Sequence, residues 1–268
     1  ILYLDWDEHR RRTAWVAALA AFALSLTAKS SGVGLPVVLL ALVYLRRRRV
    51  AWTDVGAVAP LLVIGILDGL LTLWFTAHSG GLVELGPPPR DWPDRVALAL
   101  VVPWFYLGKT FLPLGLAAIH PTIDTDFTHA GPWLSLAAFV ALGAWGLRRR
   151  HGPGAALIGA GVAFGAMLFP VLGLFRMTYA MHSPVADHFA YAAIVAPIAF
   201  TVGGATAWLG ERPAAWRRSA LAFALAGVTA LAVAAHLRVR HWTDHRSLWS
   251  HTVSVNPDAW MARYNLGS

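Results

Sequence analysis

The sequence has no cysteine, only two lysines and little charge of any kind. Without a thiol there is neither a disulfide framework nor a thiolate metal site, and the redox compartment leaves no mark. Charged residues make up 13% of the 268 residues and hydrophobic ones 57%, with a mean hydropathy of +0.55. That is too apolar for a water-soluble domain of this length. The expected fold class is therefore all-α, a polytopic membrane helical bundle. The formal net charge is +8, yet the arginines fall in short blocks between apolar stretches instead of forming one basic face, which argues against a nucleic-acid partner. The chain opens without Met or a signal-peptide pattern and stops inside a recognisable one, so both ends are expected to be truncated.

Apolar stretches run at 14–28, 33–45, 54–77, 95–118, 132–147, 154–173, 187–209 and 219–236, against a need of roughly 20 residues to cross hydrocarbon. The first two are short. The stretch 95–118 carries Pro103, Lys109 and Pro113 in its interior, which predicts a broken or re-entrant helix. Short loops rich in arginine stay cytoplasmic, which places 9–12, 46–49, 148–150 and Arg212, Arg217 and Arg218 on the inner side. Residues 13–46 then form a hairpin of two short helices with Lys29, Ser30 and Ser31 at its outer tip. The segments 78–131 and 174–186 and everything after 237 fall on the outer side.

Both lysines, Lys29 and Lys109, stand at breaks in apolar stretches, while the other basic residues are arginine. An ammonium is a compact point charge suited to a phosphate, and charge at membrane depth is costly enough to suggest function. The alternative is that each one snorkels to the headgroups and anchors its bend. Asp68, deep in 54–77, calls for a cationic partner or a wet cavity.

The stretch "FRMTYAMHSPVADHFAY", 175–191, gathers Arg176, Tyr179, His182, Asp187, His188 and Tyr191 on an outer loop leading into a helix. Asp187 and Tyr191, four apart, are expected on one helix face. Asp187 is either a capping carboxylate at a helix start or an acceptor for a sugar hydroxyl and a general base, with Arg176 or His188 on a phosphate oxygen. His182, Asp187 and His188 match no strong metal-ligand spacing, so no metal or cofactor is expected. "DTD" at 124–126 reads as polar loop, and many of the tryptophans lie near membrane borders.

Four segments taken together resemble one family. "AKSSGVGLPVVLLALVYL" at 28–45, "FLPLGLAAIHP" at 111–121, "VADHFAYAA" at 185–193 and "HWTDHRSLWSHTVSVNPDAWMARYNLG" at 241–267 are similar, in order, to motifs of the bacterial relatives of the transmembrane, tetratricopeptide-repeat O-mannosyltransferases, membrane glycosyltransferases of the C-type superfamily. Several positions depart from the family pattern: Val43 where an Asp is common, His120 for an aromatic, His188 for the usual Arg and Ala193 for a Pro. The resemblance implies a membrane module over 1–240 and, over 241–268, a junction into an extracytoplasmic tetratricopeptide repeat, of which far less than the about 34 residues of one repeat is present.

The resemblance further implies sugar transfer from a polyprenyl-phosphate donor to a protein or glycan acceptor, with inversion, without a tightly held metal, on the outer side of a bacterial inner membrane. Donor-phosphate contacts would fall to Lys29, with Lys109, Arg176, His182, His188 and Tyr191 around Asp187. The family's acidic catalytic residue belongs to a first outer loop upstream of this sequence, so this stretch by itself is expected to be inactive. Two other classes fit the residues. Broken helices with isolated charges also describe a transporter or flippase, and a membrane scaffold that presents a repeat domain would need no chemistry.

Overall fold

The computed structural model describes residues 1–78, 90–175, 179 and 182–267. Among them there is no strand. The helices are α1 (Leu2–His9), α2 (Arg12–Ala28), α3 (Leu35–Arg47), α4 (Trp52–His78), α5 (Trp92–Phe111), α6 (Ala130–Arg148), α7 (Pro153–Leu168), α8 (Val195–Gly210), α9 (Ala214–Val239), α10 (His245–Val255) and α11 (Trp260–Gly267). Five helical segments among the described residues are long and apolar enough to cross a membrane: Ser30–Arg47, Trp52–His78, Ala130–Arg148, Pro153–Val171 and Ala214–Trp242. At 1.5 Å per residue the longest reach beyond the roughly 30 Å of hydrocarbon. Helix α9 buries none of its residues, and Leu221, Phe223, Leu225, Val228, Leu231 and Val233 all point outward. A helix apolar all round and uncovered by its own chain suits hydrocarbon, not water, compatible with a multi-pass membrane protein.

The chain reverses between the short helices α2 and α3, bringing Arg47 at the end of α3 back to Asp7, just before α2. Between them Ser30–Gly34 is a 3-10 turn, and Pro36 sits in the first turn of α3, where a missing N–H costs nothing. A Cβ on Gly34 would stand 2.1 Å from the Ala166 carbonyl oxygen, so only glycine lets the turn press against α7. At the other end of the same helix pair, a Cβ on Gly159 of α7 would stand 2.7 Å from the Leu45 side chain, which makes α3 and α7 antiparallel. Arg48 Nη1 reaches the Arg150 carbonyl at 3.4 Å, bringing two arginine blocks to one end of the bundle.

That end is closed by ion pairs that the arginine pattern does not announce. Arg47 bridges two buried carboxylates, donating to Asp7 and, at 2.9 Å, to Asp54. Arg46 meets Glu8 at 3.2 Å, and the Trp15 indole donates to the Ala57 carbonyl at 3.1 Å. The start of α2, the end of α3 and the start of α4 are thereby fastened together above a core of Tyr3, Phe22, Leu26, Leu39, Val43 and Leu61.

A second core forms at the opposite end. Leu98, Val102 and Tyr106 of α5 pack against Leu168, Val171, Val185 and Ala190. Helix α5 covers only part of the apolar stretch 95–118, because Pro113 disfavours helical geometry just before it and the helix stops at Phe111. It is not among the five candidate spans. A third cluster joins Ile119 to Ala259 and Ala262, with Trp249, Val253 and Met261 alongside, so the helical pair α10–α11 docks on the loop that follows α5. Asp68 has its Oδ2 buried without a hydrogen-bond partner among the described residues, and no cation lies within salt-bridge distance of it there. The expected cationic partner is absent from that part of the chain.

Candidate functional site

The site grows from three loops held at the end where α5 stops. Tyr106, on the buried face of α5, donates its hydroxyl to the Ala186 carbonyl at 3.2 Å and accepts from the Ala186 N–H at 3.1 Å. One side chain thus satisfies both backbone groups of the residue before Asp187, as buried polar groups require. Ser183 accepts from the His120 N–H at 3.0 Å and donates to the Val185 carbonyl at 2.6 Å. The Tyr179 hydroxyl donates to the Ala118 carbonyl. The loop 112–120 and the segment 183–187 therefore form one unit on α5.

Within that unit Asp187 Oδ1 lies 2.8 Å from His120 Nε2. The imidazole side chain is 3% exposed and the carboxylate 26%, so the ring is hidden behind the acid and the acid faces the open side. Phe105 presents its ring to His120 at 5.1 Å, nearly perpendicular. The Lys109 ammonium lies over the same Phe105 ring, 5.3 Å from its centre, and also donates to the Leu114 carbonyl and, at 3.3 Å, to that of Gly115. Gly115 has a φ of +56°, a left-handed conformation glycine adopts freely. It folds the loop back over the lysine.

The carboxylate is surrounded by positive charge. Asp187 is within electrostatic reach of Lys109, His188 and Arg238, and Lys29, at the end of α2, is within reach of His188. Burial pushes the His188 imidazole below its ordinary value, the Lys29 ammonium pushes it further, and Asp187 opposes them. The ring is therefore neutral at pH 7. Burial and the Asp187 charge together raise the Tyr179 phenol, which stays a hydroxyl. Among the described residues no carboxylate lies within 4.0 Å of Lys29, Lys109 or Arg238.

The helix order differs from expectation at the key residue. Asp187–Phe189 is a 3-10 turn without a side-chain cap, and α8 begins only at Val195. Pro197 has no N–H to give, which suits it to a helix's first turn and sets the start there. Asp187 and Tyr191 do not share a helix face as the spacing suggested. Tyr191 is 69% exposed.

His182 stands against Trp260 of α11, ring centres 5.4 Å apart, and its Nδ1 is buried without a partner among the described residues. Arg176 lies outside the described residues. The loop at 124–126 is a self-contained polar turn, with His129 Nδ1 2.8 Å from Asp124. No group of acidic and histidine side chains suited to a metal occurs among the described residues.

Two members of the site escaped the sequence reading. His120 appeared only as a departure from an aromatic position; the signal was a histidine before a proline in an otherwise apolar loop. Arg238, in the last turn of α9, was not singled out at all. Its Nη2 lies 3.4 Å from His251 Nε2, which in turn is 3.2 Å from the Leu116 carbonyl oxygen, and the His251 ring stacks on His241 at 4.0 Å. Helix α10 is thus tied to the loop that carries His120. No known family model, curated protein or solved structure matches the chain.

Proposed function

We propose that the chain is part of an integral-membrane glycosyltransferase that moves a sugar from a polyprenyl-phosphate donor to a hydroxyl acceptor on a protein or glycan. The observation that carries this reading is a half-buried carboxylate, Asp187, held by His120 at 2.8 Å and set near cations for which, among the described residues, no carboxylate lies within ion-pair distance. Such a surplus suits a ligand that brings negative charge, and a phosphate leaving group brings it at the reacting centre.

In this reading Lys29 holds the donor phosphate, with Lys109 and Arg238 adding positive potential, and His182 and Tyr191 border the acceptor. The acceptor oxygen forms a bond to the anomeric carbon while the bond from that carbon to the phosphate oxygen breaks. The electron pair leaves with the polyprenyl phosphate, and the hydroxyl proton passes to a carboxylate. Among the described residues around this site Asp187 is the carboxylate placed to take it.

A lipid-borne donor requires a site that opens to hydrocarbon, and the bundle's uncovered apolar helices supply that surface. The arginine-rich end, closed by the Asp7–Arg47–Asp54 ion pairs, is assigned to the cytoplasm of a bacterial inner membrane. The end bearing Lys29 and Asp187 is then extracytoplasmic, α5 is a re-entrant or interfacial helix, and α10–α11 open a tetratricopeptide region on that side.

The test is sugar transfer in membranes carrying the full-length protein, with a polyprenyl-phosphate sugar as donor and Lys29→Ala as the comparison. Donor-dependent release of polyprenyl phosphate that falls at least about tenfold in the variant supports the reading. Passage of the lipid across the bilayer without transfer points to a flippase instead. Equal transfer by both proteins removes Lys29 from the donor site.

A further inference from the structure

We infer that His120 is the positioning residue for Asp187: its Nε2–H fixes the plane of the carboxylate so that Oδ2 alone is presented to the acceptor hydroxyl. The inference rests on the proposed glycosyl transfer and deepens it, since it states how the base within this chain is aimed.

The geometry leaves His120 little other role. Its side chain is 3% exposed and cannot meet substrate, whereas that of Asp187 is 26% exposed. Its backbone N–H is taken by Ser183, and its ring is flanked by Phe105. Both supports belong to the unit built on α5, and Tyr106 fixes the residue next to Asp187 from the same helix. The imidazole is therefore immobilised before it touches the carboxylate. An acid with one oxygen bonded to a fixed N–H has its other oxygen aimed, and the bond favours the ionised form that accepts a proton.

The groups facing this pair are Lys109 from α5, Arg238 from α9, Tyr179 and His188 from the segment around Asp187, and Lys29 beyond His188. The two lysines and the arginine supply positive potential but do not orient the acid; a directed N–H does. In the reaction the proton leaves the acceptor oxygen for Asp187 Oδ2, and His120 keeps its own proton throughout.

Two amide variants separate positioning from packing. His120→Gln sets an amide N–H near the place of the ring Nε2, while His120→Asn sets it near the place of Nδ1, too short to reach Oδ1. In full-length protein, His120→Asn is expected to lower kcat by about tenfold or more with KM for the polyprenyl-phosphate sugar changed less than about twofold. The acid limb of its pH–rate profile moves to higher pH. His120→Gln recovers most of kcat and the original limb.

A second readout needs no turnover. The carboxylate stretch of Asp187, identified in infrared spectra by its loss in Asp187→Asn, keeps its frequency in His120→Gln and shifts in His120→Asn. If wild-type membranes transfer no sugar, the functional reading fails while the infrared comparison still judges the pair. Equal carboxylate bands in the two amide variants, or equal kcat, overturn the inference.

Discussion

Lys29 and His188, far apart in the chain, lie within electrostatic reach of each other, and the ammonium adds to the burial that pushes the imidazole below its ordinary value. The 3-10 turn at Ser30–Gly34 makes this meeting possible by pressing against α7, whose C-terminal end leads into the segment around Asp187. If Lys29 grips a phosphate, Lys29→Ala weakens binding of a polyprenyl phosphodiester by about tenfold or more, and Lys29→Arg retains most of it. Isothermal titration in detergent micelles distinguishes this from an anchoring role, in which both variants bind as wild type does.

Acidification should strengthen the same binding. A phosphodiester keeps one charge over pH 5–8, so any change comes from the protein. His188 is neutral at pH 7 because its value is pushed down, and it gains its proton only below its ordinary value of 6.5. Affinity for the phosphodiester is therefore flat from pH 8 to 7 and rises as pH falls through 6. In His188→Gln the rise is expected to vanish.

The same depression has a sign for stability. The unfolded chain takes up this proton at higher pH than the folded one, so the contribution of His188 favours folding above pH 6.5 and is lost progressively below it. Thermal unfolding at pH 5.5 and 7.5 should show a smaller difference for His188→Gln than for wild type.

At the opposite end, the bridge from Asp7 through Arg47 to Asp54 controls stability. Both carboxylates are buried; Asp7 keeps Arg46 at 3.9 Å and Arg10 at 4.0 Å when Arg47 is lost, so Arg47→Met strands chiefly Asp54 and is expected to cost about 3 kcal/mol. Arg46→Ala removes an exposed pair with Glu8 at 3.2 Å and a longer contact with Asp7, leaves Asp7 bonded to Arg47, and should cost about 1 kcal/mol. Urea unfolding in mixed micelles ranks the two.

Gly34 tests the tip itself. Its Cβ position is only 2.1 Å from a backbone oxygen of α7, so even Gly34→Ala forces the turn off α7, at about 1–3 kcal/mol. The displacement carries Lys29 away from His188. Donor binding should fall with stability in this variant, whereas Gly56→Ala, inside α4 where a Cβ meets nothing within 4 Å, leaves donor binding unchanged and adds about 0.5–1 kcal/mol of stability through helix propensity.

The helical architecture was legible in the residues: low charge and long apolar runs call for apolar helices of membrane length. The arginine blocks implied the reversal between α2 and α3 with Lys29 at its tip, breaks in apolar stretches drew notice to Lys29 and Lys109, and the polar cluster at 175–191 drew it to Asp187. What was not legible depended on contacts between distant segments. His120 and Asp187 are 67 residues apart, and nothing local to either reveals the pairing. Arg47 reads as one of a topology-setting block, and its bridge to Asp7 and Asp54 exists only once α1 folds back along α2. The late start of α8 was hidden because apolar residues run unbroken from Phe189 to Phe200; Pro197 was the cue that periodicity overlooked.

The central claim is that Lys29 and the Asp187 segment share one side of the membrane, opposite the arginine-rich end. Residues 1–268 contain no cysteine, so once any cysteine elsewhere in the full-length protein is replaced, single-cysteine variants report position without background. In intact cells carrying the full-length protein, Lys29→Cys and His188→Cys should both react with a membrane-impermeant maleimide, while Arg49→Cys reacts only after the membrane is opened. Labelling of Lys29→Cys and His188→Cys from different sides would contradict the account, since no single pocket could then contain them.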